Sequence, residues 1–179
     1  IFLVSLLIRL ITLPLKDEHS GENTEEEAEK FVESRIREGE NLKKDLLAKL
    51  AAMSDIVAYI EEKSPQIIED YKARLIEKVD ELAINTQIDD QRIAAEVTMY
   101  ADKVCVDEEV VRLRSHIDST IKILTEGGAV GRKLDFIVQE MNREANTILS
   151  KASDLAISDT GINLKTDIEK VREQIQNIE

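Results

Sequence analysis

Apolar residues recur every three or four positions along most of the chain after residue 25, and this spacing is the strongest constraint on the fold. The first long run contains Ala28, Phe31, Val32, Leu42, Leu46, Leu50, Met53, Val57 and Ile60. Such spacing places the apolar side chains on one side of an α-helix. No segment alternates with a period of two over a useful length, so the pattern predicts an all-α fold.

The first helix is bounded by two capping signals. Thr24 followed by Glu27 is typical of a capping box, which predicts that a helix opens there. Its apolar stripe continues to about Lys63, where Ser64 and Pro65 predict a restart as N-cap and first helical residue.

Later signals predict four shorter helices. Asp89 or Asp90 is expected to cap the first of them after a break at INTQIDD, and Asp107 the second. Gly127 and Gly128 should end that second helix, and the third should follow from about Ala129. The last helix is expected to begin near Asp159 or Thr160.

Together these elements predict an all-α helical bundle with a long helical hairpin or coiled-coil arm. We assign residues 25–87 to the helical arm and residues 88–179 to a C-terminal helical domain. Residues 1–24 are predicted to be a junction and linker from a truncated N-terminal domain. Their apolar run, IFLVSLLIRLITLPL, is shorter than the roughly 20 residues that a membrane-spanning helix needs, so no membrane partner is expected.

The net charge of −13 argues against a simple nucleic-acid binder, which would carry a surplus of Lys and Arg. The acidic excess is uneven, however. Residues 16–40 contain ten acidic and four basic residues, whereas residues 130–152 contain three acidic and four basic ones. The single Cys105 excludes an internal disulfide and is compatible with a reducing compartment.

The segment GRKLDFIVQEMNREANTILSK, residues 131–151, carries an unusual polar surface. At about 100° per residue, its apolar side chains form one core stripe: Leu134, Val138, Met141, Ala145, Ile148 and Ala152. A second strip contains mainly amides, a hydroxyl and arginines, namely Arg132, Asp135, Gln139, Asn142, Arg143, Asn146 and Ser150. A third strip contains Glu140, Glu144, Thr147 and Lys151.

Two interpretations of these strips remain open from the residues alone. They can be a solvated helix surface with charge pairs one turn apart. They can also bind a ligand or another helix, since Asn is a poor helix former and amides and arginines hydrogen-bond phosphates and base edges. Glu140 and Glu144 point the same way and could share Mg²⁺ or Mn²⁺. His116 can serve as a proton donor or acceptor, or as a structural histidine bonded to a neighbouring helix.

Four stretches resemble the YicC/YloC family of bacterial proteins: DDQRIAAEVTMYADK, VDEEVVRLRSHIDS, GRKLDFIVQEMNREANTILSK and LKTDIEKVREQIQNIE. They cover most of residues 88–179 in the order that the family shows. In that family a domain of roughly 150 residues comes first and ends in an Arg-Leu-Pro-Gly-Val-Leu-like passage. LLIRLITLPL occupies the corresponding place without the Pro-Gly.

The resemblance implies a cytoplasmic, divalent-metal-dependent endoribonuclease that assembles as a homo-oligomer, with hexamers in the family, and encloses RNA. The family motif falls on Arg132, Asp135, Gln139, Glu140, Asn142, Arg143, Glu144, Asn146, Thr147, Ser150 and Lys151, with Glu96 and His116 outside it. As a hypothesis, Glu140 and Glu144 hold Mn²⁺ or Mg²⁺. Catalysis is assigned to Glu140, Glu144, Arg143 and His116, and RNA binding to Arg132, Gln139, Asn142, Asn146, Thr147 and Lys151.

Two other functions compete with a nuclease. One is an adaptor that oligomerises and recruits RNA-processing partners. The other is an oligomeric RNA clamp without chemistry.

Overall fold

The computed structural model describes residues 21–82, 90–128 and 130–176, with side chains from residue 27 onward. Residues 1–20 of the predicted junction (1–24), most of the INTQIDD break, Ala129 and the last three residues lie outside this range. Every regular element within it is a helix: α1 (Gly21–Leu82), α2 (Asp90–Val104), α3 (Asp107–Glu126), α4 (Gly131–Lys151) and α5 (Leu155–Ile175). The predicted all-α class is confirmed.

Helix α1 is continuous over 62 residues, so the predicted restart at Ser64 and Pro65 is wrong. Ser64 does not cap a new helix, because its hydroxyl donates backward to the carbonyl of Ile60 at 2.7 Å. Pro65 cannot donate the backbone hydrogen bond that a helix interior normally has at that position. The packing of the apolar stripe on both sides of Pro65 outweighs this local loss. The predicted opening at Thr24 is also wrong, since α1 already includes Gly21.

Four helices form a bundle with one shared core. In each, the buried positions alternate by four and three residues, which is the spacing of coiled-coil packing. The α1 members are Leu46, Leu50, Met53, Val57 and Ile60. Those of α3 include Val110, Leu113, Ile117 and Leu124, and Val106 directly before α3 continues the same spacing. Helix α4 contributes Leu134, Val138, Met141, Ala145 and Ile148, and α5 contributes Ile157, Leu164, Ile168, Val171 and Ile175. The predicted core stripe of α4 is therefore confirmed at those five positions.

Each helix of the bundle packs against two neighbours. Helix α1 contacts α3 and α5, and α4 contacts the same two, so α4 lies diagonally opposite α1. Two contacts in each pair show that neighbouring helices are antiparallel. Between α1 and α3, Lys43 contacts Thr125 and Glu61 contacts Arg114. Between α4 and α5, Asp135 contacts Arg172 and Asn142 contacts Glu169. This is the up-down-up-down arrangement of a four-helix bundle. The core of the bundle includes residues of α1 that the sequence analysis assigned to the helical arm. The domain boundary between residues 87 and 88 stays a prediction.

The connections within the bundle follow from local chemistry. Gly127 and Gly128 adopt positive φ angles of 73° and 103° directly after α3, as the sequence predicts. Helix α5 begins at Leu155, four residues earlier than predicted. The Asp154 side chain caps it by accepting hydrogen bonds from the amides of Ala156 and Ile157 at 2.8 and 3.2 Å.

Residues 64–82 of α1 pair with α2 in a second unit, which we call the hairpin. The rings of Tyr71 and Tyr100 stack with centroids 3.7 Å apart, and the Tyr71 hydroxyl donates to Glu96 at 3.2 Å. Burial and the nearby Glu96 carboxylate raise the pKa of Tyr71. None of the α2 residues is buried, so two helices alone cover only part of each other's apolar surface. None of the described helices combines the length and apolar character needed to cross a membrane.

Candidate functional site

The core stripe of α4 fixes the direction of every other side chain on that helix. With Leu134 and Met141 fully buried, the third strip faces α3 and part of the second strip faces α5. The remaining positions lie on the outer side of the bundle, away from α1.

A set of ion pairs joins α3 to α4, and we call Glu109, Arg112, Glu144 and Lys151 the charged seam. The Lys151 ammonium lies 3.0 Å from both carboxylate oxygens of Glu109. The Arg112 Nε lies 3.0 Å from Glu144. The side chains of Glu109 and Glu144 are only 6% and 13% exposed, so these charges depend on their partners.

Arg112 is the centre of the seam because it contacts three carboxylates. Besides Glu144, its guanidinium lies 3.1 Å from Glu108 and 3.4 Å from Glu109. The hydrogen bond to Glu144 raises the pKa of Arg112, against the opposing effect of desolvation. A planar group with five N–H donors suits this arrangement, whereas a lysine could not reproduce it.

The predicted metal ligands are both already paired. Arg112 holds Glu144, and the Arg143 Nη1 lies 3.2 and 3.3 Å from the two oxygens of Glu140. In the part of the chain that the structure describes, no group of three or more acidic, His or Cys side chains could hold a metal ion. A divalent cation at Glu140 and Glu144 would have to displace two arginines. The residues of this chain therefore do not fit the metal site as arranged, and its assignment to these two glutamates stays a prediction.

His116 lies on the same side of α3 as the charged seam, one turn beyond Arg112. The contacts Glu109–Lys151 and Arg112–Glu144 set an antiparallel register that brings His116 to the level of Glu140. The ring is half-buried, and it has no hydrogen bond or ion pair with the described residues. The structural alternative, a histidine bonded to a neighbouring helix, finds no such bond here, so the imidazole remains available for proton transfer.

The amide-rich strip of α4 divides into two parts. Toward α5, the Asn142 amide donates to Glu169 at 2.5 Å, and Arg172 lies 3.7 Å from both Asp135 and Glu169. The predicted RNA-binding residue Asn142 thus contributes to helix packing in this chain.

The outer part of the strip is exposed, and we call Arg132, Gln139, Arg143, Asn146 and Ser150 the exposed strip. Gln139 donates to Asp135 at 2.7 Å, while the Arg143 side chain is 77% exposed. Of the other predicted RNA-binding residues, Lys151 belongs to the charged seam and Thr147 donates to the carbonyl of Arg143. Arg132, Gln139 and Asn146 are the ones that face solvent.

Sequence reasoning missed the central role of Glu109 and the contribution of Glu169. A signal for Glu109 was present, because it lies only 40° from the core residue Leu113 on a helical projection. An acidic residue so close to an apolar stripe indicates a buried ion pair. Glu169 carried no comparable signal, since its partner Asn142 is 27 residues away.

A shallow groove of about 480 Å³ lies elsewhere, beside α1 and α3. Its lining includes Glu61, Val111, Arg114, Asp118 and Lys122. None of the predicted site residues contributes to it.

Comparison with known proteins gives the family of this fold. The model of the endoribonuclease YicC-like C-terminal family matches residues 60–179. This chain belongs to the YicC-like family. The matched range contains the outer end of α1 and all of α2 to α5, and therefore both the charged seam and the exposed strip.

Two curated YicC-like relatives are similar over most of this chain. The probable endoribonuclease YicC of Clostridioides difficile is 42% identical over 151 residues, which is 84% of this chain and 52% of the relative. The probable endoribonuclease YicC of Haemophilus influenzae is 38% identical over 149 residues, covering 83% and 51% respectively. The chain therefore spans about half the length of these relatives.

Proposed function

We propose that this chain is the C-terminal portion of an endoribonuclease that hydrolyses RNA phosphodiester bonds as part of a homo-oligomer. The observation that carries the proposal is the YicC-like family match over residues 60–179. Two curated relatives named as probable endoribonucleases support the same activity.

The geometry suggests separate roles for the two polar surfaces. The charged seam fixes α4 against α3 and so holds the exposed strip in place. The strip presents Arg132 and Arg143 to a phosphate, where a guanidinium can form paired hydrogen bonds and stabilise developing negative charge. Gln139 and Asn146 supply hydrogen bonds that position the RNA, and the uncommitted His116 transfers a proton.

A requirement for Mn²⁺ or Mg²⁺ belongs to the proposal, without assigned ligands. Bound near the scissile phosphate, such a cation would polarise its oxygens or lower the pKa of a water molecule. The net charge of −13 on these 179 residues opposes RNA binding, and the whole protein must overcome it. Cationic surface from the first domain or from neighbouring subunits would meet that need.

A second candidate is an oligomeric RNA clamp or an adaptor that recruits RNA-processing partners. One observation favours it, namely that both predicted metal ligands are neutralised by arginines.

The full-length protein distinguishes these functions. A labelled structured RNA is incubated with it at low salt, with EDTA or with Mn²⁺. Metal-dependent cuts are expected for the nuclease, salt-sensitive retention without cuts for the clamp, and neither for the adaptor. His116→Gln should lower the cleavage rate about 100-fold or more without changing helicity, because general acid–base catalysis contributes about that much. An unchanged rate would remove His116 from the mechanism.

A further inference from the structure

Phe136 stands out on the outer side of α4. Its side chain is 63% exposed, although the same helix has a fully buried apolar stripe. It lies one turn after Arg132 and one turn before Glu140. A single exposed apolar residue is ordinary on a protein surface, so the significance of Phe136 depends on its neighbours.

Two of those neighbours are cations without a partner among the described residues. Arg132 and Lys133 are exposed and have no hydrogen bond or ion pair with the described residues. Arg143, two turns further on, is paired with Glu140, and its side chain is 77% exposed. In a chain with a net charge of −13, this surface is a local exception.

We propose that Phe136 is a stacking platform for an unpaired RNA base, with Arg132 and Lys133 binding the adjacent phosphates. An aromatic ring combined with a cationic surface is the usual means of binding single-stranded nucleic acid, because every base offers a π face and every linkage a negative charge. The proposal deepens the proposed function and depends on it for the identity of the ligand. RNA held at Phe136 and running along α4 would reach Arg143 after about 10 Å, passing Glu140 on the way.

RNA fits this surface better than a second copy of the chain does. A stable protein interface covers about 800 Å² on each partner and has an apolar centre depleted of charge. Here a single aromatic ring is surrounded by charged and amide side chains. The charge complements a polyanion.

The chain contains a matched control in Phe31 of α1. That ring is 55% exposed and also lies on a helix, so it resembles Phe136 in chemistry and accessibility. The arginine one turn after it, Arg35, is already paired with Glu38 at 3.0 Å. Phe31 therefore offers an exposed aromatic ring without a free guanidinium group one helical turn away.

The absence of Trp from the 179 residues makes a direct test possible. Phe136→Trp and Phe31→Trp each introduce one indole, and each variant is titrated with a 12-nucleotide oligouridylate at low salt in EDTA. Chelation keeps the RNA intact, so binding is measured separately from cleavage. Stacking should quench the fluorescence of the Phe136→Trp protein and leave that of Phe31→Trp unchanged. A blunt RNA duplex, whose bases are already stacked, should quench less.

Affinity measurements complete the test. Phe136→Ala should weaken oligouridylate binding about tenfold, whereas Phe136→Trp and Phe31→Ala should bind like the unmodified chain. Equal quenching of both indoles, an unchanged affinity of Phe136→Ala, or no binding by the unmodified chain would overturn the platform. A change in sedimentation of Phe136→Ala without RNA would overturn it in favour of contact between copies.

The platform and the nuclease can fail separately. If only the Phe136→Trp indole is quenched and the full-length protein does not cleave RNA in Mn²⁺, the stacking role of Phe136 is supported and the proposed nuclease activity is rejected. If the full-length protein cleaves RNA and Phe136→Ala has the same KM as the unmodified protein, the nuclease activity is supported and the stacking role of Phe136 is rejected.

Discussion

The bundle and the hairpin are built from the same kind of apolar repeat but reach different degrees of burial. Leu46, Met53 and Ile60 of α1 are fully buried in the bundle, whereas Tyr71, Leu75 and Val79 further along the same helix are only half-buried. The difference follows the number of neighbouring helices, because α1 packs against both α3 and α5 in the bundle, whereas Tyr71 further along α1 packs against Tyr100 of α2. Periodicity thus specifies which side of a helix is apolar, and the number of helices packed against it decides how much of that side is buried.

Matched truncations give the largest expected contrast between the two regions. Leu113→Ala in the bundle should lower the free energy of unfolding by about 3 kcal/mol, because it removes a fully buried side chain and leaves a cavity. Leu75→Ala in the hairpin should cost about 1 kcal/mol or less, since that side chain already contacts solvent. Urea denaturation followed by circular dichroism measures both. Equal losses would show that the hairpin is as well packed as the bundle.

Removing an ion pair should give a smaller difference in the free energy of unfolding between the two regions. Lys151→Met leaves the buried Glu109 with only Arg112 as a cationic partner and should cost about 2 kcal/mol. Lys78→Met in the hairpin removes an exposed pair with Glu81 and should cost less than about 0.5 kcal/mol. The double variant Glu109→Gln, Lys151→Met should recover part of the loss. Without any recovery, the cost belongs to side-chain packing rather than to the unpaired charge.

Pro65 lies where the two regions meet, and its replacement should stabilise the protein. Pro65→Ala restores an N–H donor to a helix that is continuous at this point, with an expected gain of about 1–2 kcal/mol. If a new helix instead began at Ser64, Pro65→Ala would be neutral or destabilising, and Ser64→Ala would cost about 1 kcal/mol. The thermal midpoints of the two variants decide between these structures.

The smallest expected effect concerns pH. Hydrogen bonds from Lys49 and from Gln174 of α5 lower the pKa of the Asp45 carboxyl below its ordinary value of 3.8. Because the folded pKa is the lower one, this stabilisation is complete above pH 3.8 and is lost as the pH falls through the folded value. Asp45→Asn should therefore flatten the pH dependence of the unfolding midpoint slightly in that acidic range. An identical profile would show that the contact contributes nothing.

The sequence predicted the fold class and the core stripe of α4 because both depend on local periodicity. It failed at Pro65, where a local breaking signal is overridden by packing along the rest of α1. It also placed the start of α5 at Asp159 or Thr160, although Asp154 is the residue that caps it. At the start of α5 several polar residues offered similar local capping signals, and the sequence alone did not distinguish Asp154 from Asp159 and Thr160.

The candidate site was less predictable because its side chains are shared between helices. A helical projection shows that Glu140 and Glu144 point the same way, but it cannot show that Arg112 of α3 occupies the space beside Glu144. Nor does it show that Asn142 is bound by Glu169. The exposed strip was easier to predict, since exposure follows from the angle to the core stripe alone.

The uninterrupted course of α1 has a mechanical consequence. The same helix contains Val57 and Ile60, which are buried in the bundle, and it extends about 33 Å beyond Ile60 to Leu82. Because no break interrupts α1 between the two regions, a force applied to the outer part of the hairpin is transmitted along the helix to the core of the bundle.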